Sequence, residues 1–273
     1  MNRILILLFI IMNSCNLSNS QTPPLFTVNT FPDMYREVAI DMNKEDTLGI
    51  IKTVKENNLN VNYKDPKYNI SLLKWAIANR KYHSCKTLLN LGANPNQTDS
   101  IDYVPPIIVA AGILDTSDYL KLLLEHGGNP NIITKKEKGQ VQYTEATPLC
   151  AAASARLESV QLLIDYGGDI NLSVHSDMLP LTTALITQKI AIARYLIIER
   201  KADVNKVISL GIKNDTARIS DLLRLNIFSL ESEEYKQKME VVNYLKTIGI
   251  DYRASPIPKY LLKTYPKEYL EKY

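Results

Sequence analysis

Apolar and polar positions along this chain follow two different patterns. The first is a single block at the start. Residues 4–12 form an unbroken apolar run behind Met1, Asn2 and Arg3, and small polar residues follow it. Nine helical residues rise about 14 Å, roughly half the hydrocarbon core of a bilayer, so the run is too short to span one. The order of charge, short apolar run and small polar residues is that of a secretory signal. The second pattern is periodic. Apolar doublets at Leu88-Leu89, Leu122-Leu123, Leu162-Leu163 and Leu196-Ile197 each end a helical pattern. A shorter helical start precedes each doublet. The clearest is Thr147-Pro148-Leu149-Cys150-Ala151-Ala152-Ala153, and the others begin near Ser71, Pro105 and Leu179. The spacing therefore predicts pairs of short helices, each too short to be stable without a neighbour.

A polar break closes every pair. Segments ending in Asn recur at Asn62, Asn96, Asn131, Asn171 and Asn205, separated by 34, 35, 40 and 34 residues. Internal repeats at this period mean a stacked array. The helical starts and the Gly-Ala-x-x-Asn-like breaks resemble the ankyrin repeat, and the resemblance runs from about residue 31 to residue 252. It implies an all-α solenoid of about five to six helix-turn-helix repeats joined by short hairpin fingers. The residues fit this physically. Thr147 is placed to cap a first helix, and Pro148 sits where a helical N–H has no partner. Gly92, Gly127, Gly167 and Gly249 fall where a second helix ends in a left-handed residue. Lys201 stands in that place in the fourth full copy, and Lys74, Ile108, Cys150 and Thr182 occupy the position where the repeat consensus has His. Weaker hydrogen bonding between repeats is the expected consequence.

The ends read as caps. Residues 34–42 and 46–57 form a divergent first repeat, and residues 216–223 and 239–249 a last one, with 226–236 as an insertion between its helices. The organisation read from this is a signal peptide over 1–14, a flexible tether over 15–30, the repeat domain over 31–253 and a capping tail over 254–273. The tether assignment rests on a composition of Asn, Ser, Gln, Thr and Pro with little to bury.

Asn13-Ser14-Cys15 follows the apolar run directly and resembles a bacterial lipobox, in which a diacylglyceryl group is attached to the cysteine thiol. Ser14 fits that pattern; Met12 and Asn13 depart from it. The resemblance implies lipidation at Cys15 and anchoring in the bacterial cell envelope, with the outer membrane, facing the periplasm, as the expected site. The alternative is ordinary cleavage after Ser20, which would leave a secreted protein without an anchor. Cys85 and Cys150 lie two repeats apart, about 20 Å at about 10 Å per stacked layer, beyond disulfide reach. Both are expected to be small buried apolar residues.

Charge and motifs narrow the function. A formal net charge of +3 with scattered Lys and Arg gives no basic face for nucleic acid. His83, His126 and His175 are far apart in sequence, and the chain has no HExxH, CxxC, G-x-S-x-G or phosphate loop. No catalytic residue, metal site or cofactor is signalled, and the chain is read as a non-enzyme. Trp75 is expected in the core. The 40-residue spacing lengthens the finger after Asn131, and insertions in arrays often mark a binding face. The resemblance implies protein recognition through finger tips and the inner helices. By position the candidates are Tyr68, Tyr82, Tyr103, Leu114, Lys136, Lys138, Tyr143, Arg156, Asp177, Met178 and Gln188. A monomer that binds an unidentified protein is expected, touching the membrane through the lipid alone. Some bacterial ankyrin lipoproteins serve as immunity proteins against an antibacterial toxin, which is the sharper form of this reading. An envelope enzyme, or a small-molecule site on the concave face, is the alternative.

Overall fold

The computed structural model describes residues 26–67, 70–98, 104–113, 115–134, 146–174, 178–206, 208–209 and 216–273. Six antiparallel helix pairs follow one another: α1 (Asp33–Lys44) with α2 (Thr47–Glu56), α3 (Leu72–Ala78) with α4 (Tyr82–Asn90), α5 (Pro106–Ile113) with α6 (Asp118–Glu125), α7 (Pro148–Ala153) with α8 (Leu157–Asp165), α9 (Pro180–Ile186) with α10 (Ile190–Arg194), and α11 (Ile219–Arg224) with α12 (Glu233–Thr247). Two short helices, α13 (Lys259–Thr264) and α14 (Lys267–Lys272), follow. The fold is the expected all-helical ankyrin-repeat solenoid, with one small addition: β1 (Ile208–Ser209) pairs antiparallel with β2 (Thr216–Ala217) ahead of α11.

First helices stack on first helices from α3 through α11. The seam between the rows is apolar along its length, from Phe31 and Trp75 through Leu88, Leu123, Leu163 and Leu196 to Leu245, all buried. Each such side chain contributes roughly 1.5–3 kcal/mol when buried, and no pair could bury its own face alone. Trp75 is 1% exposed and its indole N–H donates to the Thr27 carbonyl at 3.1 Å, which places it in the core as expected. The Asn79 amide donates to the Phe26 carbonyl at 3.1 Å, and Thr30 is buried. Residues 26–30, assigned by composition to the tether, thus lie against α3 and its C-terminal end, where Trp75 and Asn79 donate to the Thr27 and Phe26 carbonyls.

Helix ends follow local chemistry. The Thr147 hydroxyl accepts from the Cys150 N–H at 3.1 Å with Pro148 in the first turn of α7, and Ser71 caps α3 in the same way. Gly92, Gly127, Gly167 and Gly249 have φ of +93°, +84°, +87° and +85°. Lys201 takes the same left-handed turn at φ +57°, and the residues before it, Tyr195–Glu199, form a wider π turn.

The last pair departs most from the expected boundaries. Residue 216 lies in a strand and the first helix opens at Ile219; the second helix of the pair reaches back to Glu233, through the last four residues of the expected insertion. The Ser232 hydroxyl accepts from the Tyr235 N–H at 3.1 Å, and Glu233 and Glu234 sit in the first turn, where the helix dipole favours acids. Cys85 and Cys150 are buried and unpaired, and burial pushes both thiols up.

Candidate protein-binding surface

The topology gives every repeat two loops at opposite ends of its helices. One is the finger between a second helix and the next first helix. The other is the tight turn within a pair. Repetition aligns each kind into a row.

The finger row is held by the closing asparagines. The Asn62 amide donates to the Gly92 carbonyl at 3.3 Å while its oxygen accepts from the Asn94 N–H at 2.7 Å. Asn96 treats Gly127 and Asn129 likewise, at 2.9 and 2.7 Å, and Asn131 treats Gly167 and Asp169 at 2.9 and 2.7 Å. Asn171 accepts from the Asp203 N–H at 2.9 Å. The first three rungs satisfy both halves of one carboxamide with the backbone of the next repeat; the fourth keeps the accepting half alone. Within each finger an Asn or Asp side chain also accepts from the N–H two residues on, as Asn94 does from Asn96 at 2.9 Å, which is an Asx turn. Hydrogen bonding between repeats was expected to be weak because the first helices lack the consensus His. It runs instead through the turns, which that expectation left unassigned.

The ladder stops after four rungs. The repeat pattern places the next acceptor and donor at the Gly249 carbonyl and the Asp251 N–H. Asn205 is exposed, and among the described residues its side chain bonds to neither. A cleft of about 730 Å³ opens at this step, lined by residues that include Asn205, Lys206, Arg218, Gly249, Asp251 and Ser255. Lys206 reaches back to the Asn171 carbonyl at 3.1 Å. Asp221 accepts from the Arg218 N–H at 2.8 Å and from the Ser255 hydroxyl.

The turn row is stitched by charge. The Arg80 guanidinium contacts the Asp115 carboxylate at 3.0 Å, one repeat on, and Arg156 in the next repeat donates to the Asp115 carbonyl and pairs with Glu158 at 3.4 Å. Burial pushes the Asp115 carboxyl up, but its own backbone hydrogen bond, the Arg80 contact and the Arg156 charge outweigh that and hold it below its usual value. The Gln188 amide donates to the Leu225 carbonyl at 3.4 Å. The Tyr82 and Tyr119 rings meet edge to face at 5.5 Å.

Four of the sequence candidates, Tyr82, Arg156, Met178 and Gln188, fall on described residues. Tyr82, Arg156 and Gln188 belong to the turn row, and each also binds the neighbouring repeat. Met178 lies in a finger, and its carbonyl accepts from the Cys150 thiol at 3.5 Å. Tyr68, Tyr103, Leu114, Lys136, Lys138, Tyr143 and Asp177 lie outside the described residues, as does Cys15. The long finger is described only at its base, where Thr134 and Ala146 bond at 3.1 Å (N–H to carbonyl) and 2.7 Å (N–H to hydroxyl).

Two features escaped the sequence reading: the open fifth step and a buried cationic cluster under the C-terminal helices. Lys238 is fully buried, donates to the Asn226 carbonyl at 2.9 Å and lies 3.8 Å from the Tyr273 ring. Arg224 is 3% exposed, lies 4.0 Å from the Tyr252 ring and donates to the Tyr273 carbonyl at 2.9 Å. Among the described residues no cluster of three or more His, Cys, Asp or Glu could hold a metal, and no helix is long and apolar enough to cross a membrane.

These two aligned loop rows on a stacked helical seam define a repeat scaffold of the ankyrin kind. Residues 107–208 match the family model of ankyrin repeats in three copies. The structure superposes on the human ASB11 ankyrin repeat domain with a TM-score of 0.54 at 20% identity, covering 84% of this chain and 98% of that one. A stretch of 105 residues is 35% identical to Protein PhlB of Serratia liquefaciens; it covers 38% of this chain and 42% of that relative's length. Ankyrin repeats of this kind imply a protein–protein binding module, since such arrays present extended binding surfaces.

Proposed function

We propose that this protein is a lipid-anchored receptor for another protein in a bacterial cell envelope. The observation that carries the binding half is the fixing of both loop rows by bonds between repeats. Loops held in register lose little freedom on docking, and that is what preorganised surfaces need. The anchoring half is supported by Asn13-Ser14-Cys15 behind the apolar run, and the bacterial relative is in keeping with it. Acyl chains on Cys15 at about 0.8 kcal/mol per buried CH₂ give stable attachment when more than one is present. An outer-membrane site facing the periplasm belongs to the same proposal. Its sharper form is an immunity protein that neutralises an antibacterial toxin, because a tethered binder acts at high effective concentration where the toxin strikes.

Fractionation tests the anchor: Cys15→Ser should move the protein from the detergent-soluble membrane fraction to the soluble one, and persistence with membranes refutes lipidation. Cross-linking and capture from the native envelope test the binding half. A defined partner whose capture weakens on charge reversal of Lys136 and Lys138, with melting unchanged, puts the long finger in the interface. Equal capture removes it. A toxin gene beside this one supports the immunity role.

A further inference from the structure

The broken ladder at Asn205 has a consequence for what the scaffold binds. At the four intact rungs, a carboxamide from one repeat meets the backbone of the next. At the fifth, the equivalent partners stand on the walls of the 730 Å³ cleft, with Asn205 on one side and Gly249 and Asp251 on the other. That volume lies within the range of about 300–1,000 Å³ seen for ligand clefts. Gly249 keeps the left-handed turn of the earlier repeats, at φ +85°, so the backbone that would receive the rung is formed. One wall therefore carries an unspent amide donor and acceptor, and the other a carbonyl acceptor and an N–H donor.

We propose that this cleft binds an extended peptide segment of the partner, bearing one acidic side chain, which completes the rung. An extended strand presents N–H and C=O groups along both edges, so its main chain satisfies both walls at once. A compact helical segment has spent those groups internally. The acidic preference comes from which charges are engaged. The Asp221 carboxylate already accepts from the Arg218 N–H and the Ser255 hydroxyl, and the Asp251 carboxylate accepts from the Arg253 N–H at 2.8 Å. Lys206 and Arg218 are exposed on the rim, and among the described residues neither has a carboxylate within ion-pair distance. Lys206 already donates to the Asn171 carbonyl, so the cation left for a peptide carboxylate is Arg218, which can take it through two N–H groups.

The proposal rests on the binding-module reading but can fail separately from it. The test pans a phage-displayed library of linear heptapeptides against the full chain in detergent. It is repeated on Asn205→Ala and Arg218→Glu, with thermal melting as the control for folding. Among the described residues Asn205 makes no side-chain bond, so Asn205→Ala should melt with the wild type. Expected is enrichment of peptides with Asp or Glu at a fixed position. Their affinity should fall about tenfold on Asn205→Ala, for two main-chain bonds lost. It should fall about fivefold on Arg218→Glu, for the loss of a rim ion pair. No enrichment, or selected peptides that bind all three proteins equally, overturns the cleft assignment. If envelope capture with the same variants still yields a partner at undiminished level, the binding-module reading stands and the cleft alone is excluded. If capture yields none while peptides are enriched at the cleft, the envelope receptor fails and the cleft stands.

Discussion

The ammonium of Lys238 lies 3.8 Å from the centre of the Tyr273 ring, with no part of the lysine side chain reaching solvent. Burial, and then the neighbouring Arg224 charge, lower its pKa to about 7. The faces around it carry Arg224, Tyr252 and Tyr273, and no carboxylate lies within ion-pair distance among the described residues. Two aromatic faces and one carbonyl do the work of a counter-ion.

A stability profile follows from that placement. Below pH 7 both folded and unfolded chains hold the Lys238 proton, and the buried charge destabilises the fold in full. Between pH 7 and the unfolded value of 10.5, the unfolded chain holds one proton more, so stability rises with pH, by up to about 1.4 kcal/mol per unit. Burial pushes the Tyr252 hydroxyl up to about 12 and raises Tyr273 as well. Above about pH 10, the ordinary tyrosine value, unfolded tyrosines ionise first and stability falls again. Urea unfolding from pH 6 to 10 should show this rise, and Lys238→Met should flatten it. Parallel profiles for the two proteins would mean that the lysine proton is not linked to folding.

The Asn96 rung gives a second prediction. Its side chain joins two repeats through the Gly127 carbonyl and the Asn129 N–H. At about 0.5–1.5 kcal/mol per bond, Asn96→Ala should cost about 1–3 kcal/mol. Asn205→Ala at the open step should cost nothing measurable. Chemical denaturation of both variants checks the contrast, and equal losses would show that the closing asparagines stabilise their own fingers and not the stack.

How far the sequence revealed this structure follows the same line between rung and cap. The closing asparagines and their 34-residue beat announced the stack, because an array repeats its chemistry wherever it repeats its shape. The cap broke that regularity. Lys238 stands two residues past the expected insertion 226–236, and the tyrosines contributed from beyond residue 250 are what cover it. The open step was hidden for another reason. Asn205 closes its own finger as the others do, so the missing bond depends on where the cap turn sits. Arg156 and Gln188 were legible as loop residues but not as clamps, since their partners Asp115 and Leu225 lie in other repeats.

The adjacent glycines 127 and 128 yield the last prediction, because the two positions demand glycine for different reasons. Gly127 is left-handed at φ +84°, yet an added Cβ would meet no atom within 4 Å. Gly127→Ala therefore carries backbone strain alone, about 1–2 kcal/mol. At Gly128 an added Cβ would sit 2.8 Å from the Leu123 carbonyl oxygen and 2.9 Å from Ile107 Cδ1. The Gly128 N–H donates to that same Leu123 carbonyl at 2.8 Å, closing α6, so the clash cannot be relieved without opening the helix end. Ala93 fills the equivalent place after Gly92, with its N–H on Leu88, while Gly168 makes the same 2.8 Å approach to the Leu163 carbonyl, so what sets position 128 apart is the added contact with Ile107. Gly128→Ala should thus destabilise more than Gly127→Ala, by loss of the closing bond of about 1 kcal/mol and repacking of Ile107. Melting of the two single variants decides it: a Gly127→Ala loss equal to or above that of Gly128→Ala would mean the boundary yields to the added methyl, and that the left-handed turn alone sets the requirement.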